Sequence, residues 1–309
     1  MSTLNKRLLK ILRSLIPASK YDVMKRYDAV AQQLKSANAR FDSVDARLNL
    51  VAKELRASVM SSRSVTPQYQ EEILKVIRLL EPRRVAGYEK IRAGGANDGG
   101  YVQIDDYAGI SAAISFGIAN DDAWDLAVAR MGILVHQFDH TIAQPPSTHP
   151  LLHFNCKKAA PVASADAVTI PDLVAAYSKL DEPDLVLKMD IEGAEWDVLD
   201  HSSSVSLSRF SQIICEFHGL ARLYEGPFHA RALRVFQKLA QDFAVVHVHA
   251  NNNGDLCNLA NIAVPSTLEI SFANRKRYSF TATDETFPTP LDAPNNPGSP
   301  EIMLGSFRF

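Results

Sequence analysis

Asp190, Glu192 and Glu195 put three carboxylates into six residues of the stretch "LVLKMDIEGAEW", directly after an apolar run, Leu185 to Leu187. A buried strand that ends in acids aims them at whatever lies beyond its tip. The pattern recurs along the chain. Apolar segments end in Ser115, Gly117, Asn120 and Asp121, in Asp139, His140 and Thr141, in Glu216 and His218, and in His247, His249, Asn251 and Asn252. A single acid after a strand is often no more than a helix cap. Five such ends at one rim supply carboxylates that accept hydrogen bonds and imidazoles that change protonation near neutral pH. That equipment suits binding of a polar ligand and movement of a proton.

The elements that must position these groups alternate from residue 68 to residue 280. Strands are read at "AAISFGI", "GILVHQFDHTI", "LLHFNCKKA", "LVLKMD", "SQIICEFHG", "FAVVHVHANN" and "STLEISFANRK". Helices are read at "EEILKVIRLLEP", "DDAWDLAVARM", "TIPDLVAAYSKL", "AEWDVLDH" and "HARALRVFQKLAQD", where Pro171 fits a first helical turn. Such alternation predicts an α/β fold, a seven-stranded, mostly parallel, doubly wound sheet with helices on both faces. The last two strands have no helix between them and are expected as an antiparallel pair at the edge. In such a sheet ligands bind beyond the carboxyl ends of the strands, where the polar residues fall. His136, His153 and His247 are read as packing residues, and Trp124 and Trp196 as core.

Two segments precede this domain. Residues 1–19 read as a short basic amphipathic helix, with Leu4, Leu8, Ile11, Leu12 and Leu15 on one face and Lys6, Arg7, Lys10 and Arg13 elsewhere. Residues 20–60 carry apolar or small residues at alternating spacings of four and three, from Val23 through Tyr27, Val30 and Leu34 to Leu55. That heptad seam predicts a long N-terminal coiled-coil helix and self-association. Residues 61–67 read as a linker, 68–280 as the domain and 281–309, rich in Pro, Asn and Asp, as a tail.

The net charge of −2 hides an asymmetry. Residues 1–64 hold 13 basic and 5 acidic residues, and the remainder holds 20 and 30. A basic arm on an acidic body suits contact of residues 1–16 with an anionic membrane surface. The acidic body, without interleaved bases and aromatics, argues against a nucleic-acid substrate. Cys156, Cys215 and Cys257 show no paired spacing, which fits a reducing cytoplasm. The bases interleaved with the first apolar residues are unlike a signal peptide. The expected location is cytoplasmic, at or near the inner membrane face.

The first strand-to-helix turn, "FGIANDD", lacks the glycine set of a dinucleotide fold, and no Gly-Lys-Ser/Thr phosphate loop occurs. Asp139, at the end of the second strand, is placed to accept from ribose hydroxyls. A ribose acid without a phosphate loop favours a nucleoside cofactor lacking phosphates, and S-adenosylmethionine is the obvious one.

"LVLKMDIEGAEWDVL" resembles the fourth-strand signature of the FkbM-type methyltransferases, a family of class I, Rossmann-like, S-adenosylmethionine-dependent enzymes. "NDGGYV", "CEFHG" and "HVHANN" resemble further motifs of a subgroup. The resemblance covers about residues 84–275. It departs in the first turn, where the usual Gly-x-Gly is replaced by Ser115, Phe116, Gly117, Ile118 and Ala119. The resemblance implies that Ser115, Gly117, Asn120, Asp139 and His140 bind the cofactor, with Asp98, Gly99, Gly100 and Tyr101 as a wall. It places Asp190 beside the methyl-transfer point with Glu192 next to it. The family implies O-methylation of saccharides or of small natural products.

Removal of the acceptor proton needs a base, for which Asp190, Glu192, His218 and His249 are the candidates. Alternatively Asp190, Glu216, His218 and His249 hold a divalent ion, Mn²⁺ or Mg²⁺. A different class of function is a coiled-coil scaffold with a relic methyltransferase domain.

Overall fold

The structure is a computed structural model and describes residues 65–309. The basic helix read at 1–19, the coiled coil at 20–60 and the linker as far as residue 64 lie outside those residues. The described part opens with a helix, Pro67–Ile77, whose first turn is capped by Thr66 accepting from the Tyr69 backbone N–H.

Seven strands build the central sheet. In chain order they are β1 (Ala112–Phe116), β2 (Val135–Phe138), β3 (Leu152–Asn155), β4 (Leu185–Met189), β5 (Phe210–His218), β6 (Phe243–Ala250) and β7 (Thr267–Asn274). Across the sheet they lie in the order β6, β7, β5, β4, β1, β2, β3. From β5 to β3 every neighbouring pair is parallel, and β7 is antiparallel to both β5 and β6. This is a mostly parallel, Rossmann-like sheet. The parallel strands form because their residues suit burial on both faces: every residue of β1 and β4 is buried. The expected antiparallel edge is present, with one refinement. β7 enters between β5 and β6, so the outermost strand is β6. The chain turns from β6 to β7 through a hairpin, Leu256–Leu259 with Ile262–Pro265, whose turn residues Ala260 and Asn261 both have positive φ.

The two faces of β4 carry different loads. On one side Val186 joins Trp124, Tyr101 and Ile214 in a core beneath helix α1 (Ala123–Arg130). On the other face of the sheet, helices α2 (Glu195–His201) and α3 (Gly226–Asp242) bury Trp196 against Phe217, Phe228 and Phe236 at centroid distances of 4.9–5.3 Å. Strand alternation puts Lys188 on the same side as Val186, and its Nζ sits 5.6 Å from the Tyr101 ring centroid.

Two additions frame the carboxyl end of the sheet. A hairpin of Lys90–Ala93 with Tyr101–Ile104 holds the loop 94–100 between its strands. The C-terminal stretch first pairs Phe280–Ala282 with Arg83–Val85, then runs back over β6 and β7, burying Phe287 and Phe307. Among the described residues no helix is long and apolar enough to cross a membrane.

Candidate active site

The strand order reverses between β1 and β4, and a ligand crevice is expected at that switch. A cleft of about 710 Å³ opens there, at the carboxyl ends of β1, β2 and β4. This volume suits a nucleoside-sized ligand with room for part of a second molecule.

The β1 turn forms one wall. Gly117 has φ +77°, and a Cβ on it would lie 1.5 Å from the backbone oxygen of Asp190. Only glycine allows the β1 and β4 loops to meet this closely. Lys188 locks the contact from below, donating to the carbonyls of Gly117 at 2.6 Å and Phe116 at 3.3 Å. Beyond the glycine, Ala119 (φ +46°) and Glu192 (φ +56°) are non-glycine residues in the left-handed region. Both line the cleft, and such strained backbone gathers at functional sites.

Asp139, at the end of β2, organises this wall. Its Oδ2 accepts from the backbone N–H of Ile118 and Ala119, each at 2.8 Å, and its Oδ1 from Thr141 N at 2.7 Å and Thr141 Oγ1 at 2.6 Å. Burial would raise its pKa, but these bonds outweigh burial and hold it below the ordinary carboxylate value. The carboxylate has about four acceptor positions and all four are used. A ligand hydroxyl can therefore enter only by displacing Thr141 Oγ1, the one partner free to rotate.

The opposite wall carries the acids Asp190 and Glu192, while Tyr101, Glu216 and His218 pack against them without lining the cleft. Asp190 Oδ2 accepts from the Tyr101 hydroxyl at 3.0 Å, and Glu216 Oε2 lies 3.4 Å from the same hydroxyl. Burial and then the charges of Asp190 and Glu269 push the Glu216 pKa far up. The Tyr101 hydroxyl stands between the two carboxylates, closer to Asp190. His218 Nδ1 meets Glu195 Oε1 at 3.1 Å, and its Nε2 lies 3.5 Å from Glu192 and Glu216 and 4.0 Å from Asp190. Burial alone would lower its pKa, but the Glu195 hydrogen bond and the surrounding acids raise it to about 9. His218 is an imidazolium at neutral pH. Glu195 is itself fully buried and fixed by the backbone N–H groups of Ile191 and Gly193.

Residues 112–243 match the family model of the Methyltransferase FkbM domain. That segment is similar to FkbM methyltransferase domains. The matched range runs from the first residue of β1 to the first of β6. Comparison with the curated proteins gives no match. Among solved structures, one from Anabaena variabilis ATCC 29413, described as a candidate methyltransferase from an antibiotic biosynthesis pathway, is 14% identical over 49% of this chain and 62% of that chain, with a TM-score of 0.25.

The structure sorts the expected site residues. Asp98, Gly99, Gly117, Asn120, Asp139, His140, Asp190 and Glu192 line the cleft. Ser115 does not: it is fully buried beneath the loop, beside Asp125. His249 is also absent from the cleft. Its Nδ1 meets Glu269 at 3.0 Å and its Nε2 meets Glu301 at 2.7 Å, under the C-terminal stretch. The metal set expected from Asp190, Glu216, His218 and His249 is therefore not assembled, because both nitrogens of His249 are engaged elsewhere. Among the described residues, the groups of three or more whose ligand atoms lie within 4.8 Å of one another are Asp190, Glu192 and His218, and Asp98, Glu216 and Glu269. Three contributors lacked an assigned role in the sequence: Lys188, Glu195 and Asn295, whose side-chain amide donates to Asp98 at 2.9 Å. A lysine inside an apolar strand signals the first, and the third acid of the β4 signature the second.

Proposed function

We propose that the protein is an S-adenosylmethionine-dependent O-methyltransferase acting on a hydroxyl of a saccharide or glycan-like acceptor. The observation that carries the reading is the contact of Gly117 with the Asp190 backbone. It sets a nucleoside-type loop and a group of carboxylates on two sides of one cleft. The residues present suit the cofactor: a glycine loop open to close approach, an Asp139 carboxylate with one exchangeable partner, and Asp98 on the wall. When bound there, S-adenosylmethionine supplies an electrophilic methyl group.

The protein then has two tasks. It must align the acceptor oxygen, and it must take that oxygen's proton. Asp190 is the group we assign to the proton. His218 is charged at neutral pH, so it serves by holding Asp190 and Glu192 in place and balancing their charge. Tyr101, hydrogen-bonded to Asp190 and close to Glu216, supports Asp190 from behind. Acidic walls favour neutral polyol acceptors over phosphate- or carboxylate-bearing ones. His218 is held by Glu195, and no step in this scheme requires a divalent ion. The basic pattern of residues 1–16 supports a peripheral contact with an anionic membrane face, and the heptad seam of residues 20–60 supports self-association.

The test is transfer of a labelled methyl group from S-adenosylmethionine to a panel of oligosaccharides and small polyols, with and without a chelator. The reading expects base-stable, ether-linked label on a saccharide, unchanged by chelation. Label confined to small natural products would move the acceptor class. Absence of cofactor binding and of transfer would favour the scaffold reading.

A further inference from the structure

We propose that the C-terminal segment supplies a positioning residue to the cleft: Asn295 holds the Asp98 carboxylate against the wall, so that the tail completes the site. The inference rests on the reading of the cleft as a cofactor site.

Asp98, Glu216 and Glu269 present carboxylate oxygens within 4.8 Å of one another. Like charges at this spacing repel, and Asp98 sits exposed on the loop between the two strands of the first hairpin. Left alone, its side chain would turn to water. Asn295 prevents this. Its Nδ2 donates to Asp98 Oδ1 at 2.9 Å and to Glu269 Oε1 at 2.6 Å. A primary amide has two N–H groups, so one nitrogen serves both acids, and with two carboxylates in reach only the nitrogen can face them. Asn295 is buried, and its neighbours are anchored. Asn252 Oδ1 accepts from Asn296 N at 2.7 Å, and Asn252 Nδ2 donates to the carbonyls of Asn296 and Ser299 at 2.9 and 3.1 Å. Glu269 Oε2 faces His249, which faces Glu301. One line of contacts thus runs from Glu301 through His249, Glu269 and Asn295 to Asp98 on the cleft wall. There the Asp98 carboxylate would favour a cationic group of a bound cofactor.

The test is a double-mutant cycle on the full chain, with Asn295→Ala, Asp98→Ala and both, reading affinity for S-adenosylhomocysteine by calorimetry and backbone hydrogen exchange over residues 94–100. We expect each single variant to bind about tenfold more weakly, the worth of one hydrogen bond to a charged group, and the double variant no more weakly than either. We also expect faster exchange at 94–100 in Asn295→Ala. Additive losses, or unchanged exchange in that loop, would overturn the proposal. If exchange quickens while the wild type binds no S-adenosylhomocysteine, the contact stands and the cofactor reading falls. Asn295→Ser, smaller but still a donor, replaces the alanine variant if that fails to fold.

Discussion

Gly117 and Asp190 touch through their backbones, and this contact sets the strictest requirement at the residue scale. A methyl group at Gly117 must collide with the Asp190 carbonyl and hold φ +77°, a conformation that costs an L-residue roughly 1–2 kcal/mol before any clash. Gly117→Ala should lower S-adenosylhomocysteine affinity at least about tenfold, since the loops must part by more than one charge-assisted bond can bridge; calorimetry checks it. Asp190→Asn keeps the shape and removes the base. It should lower kcat by about 10²–10⁴ with little change in cofactor affinity. The protonation of His218 gives a second readout. Were the imidazole the base, the rate would climb as pH approached about 9. With Asp190 as base and His218 as a charged support, the rate should be level through neutral pH and fall as His218 loses its proton near pH 9. Much of this was legible: Gly117, Asp139, Asp190, Glu192 and His218 follow apolar runs that can only be buried strands. The failures have physical causes. Ser115 is the fourth of five fully buried β1 residues and sits below the rim. His249 lies on the outermost strand, where its face depends on what covers it.

At the element scale the C-terminal stretch is the informative piece. His247 and His249 are two residues apart, share one face of β6, and meet Asp292 and Glu301 of that stretch at 2.8 and 2.7 Å. No periodicity in residues 283–309 announces this, because the order comes from side-chain bonds to residues some fifty positions earlier. The pairing predicts a pH dependence. Burial would lower the His249 pKa, but Glu269, Asp292 and Glu301 raise it to about 9, above its ordinary 6.5. A raised folded-state pKa contributes stability that is complete below pH 6.5 and lost as pH rises through 9. The melting temperature should therefore fall between pH 7 and about pH 9.5, and His249→Gln should melt lower with a flatter profile. Phe287, fully buried in the same stretch, should cost about 3–5 kcal/mol on replacement by alanine, read by denaturant unfolding.

For the whole molecule, alternation of buried strands with amphipathic helices foretold the sheet, including its antiparallel edge. It did not foretell that β7 would insert between β5 and β6, since pairing order depends on contacts distant in sequence. The heptad seam of residues 20–60 bears on assembly. We propose that it joins copies of the chain. Val30→Lys with Leu34→Lys, two charges in the seam, should reduce the mass in solution to that of a monomer by light scattering while leaving cofactor affinity unchanged. A mass unchanged by these substitutions would place the contacts elsewhere. The central claim, that the cleft at the β1–β4 switch binds S-adenosylmethionine, is tested most directly by calorimetric titration of the full chain with S-adenosylhomocysteine beside Gly117→Ala. The wild type should bind one ligand per chain with micromolar affinity, and the variant should bind it far more weakly or not at all. No binding to the wild type, or equal binding to both, would contradict it.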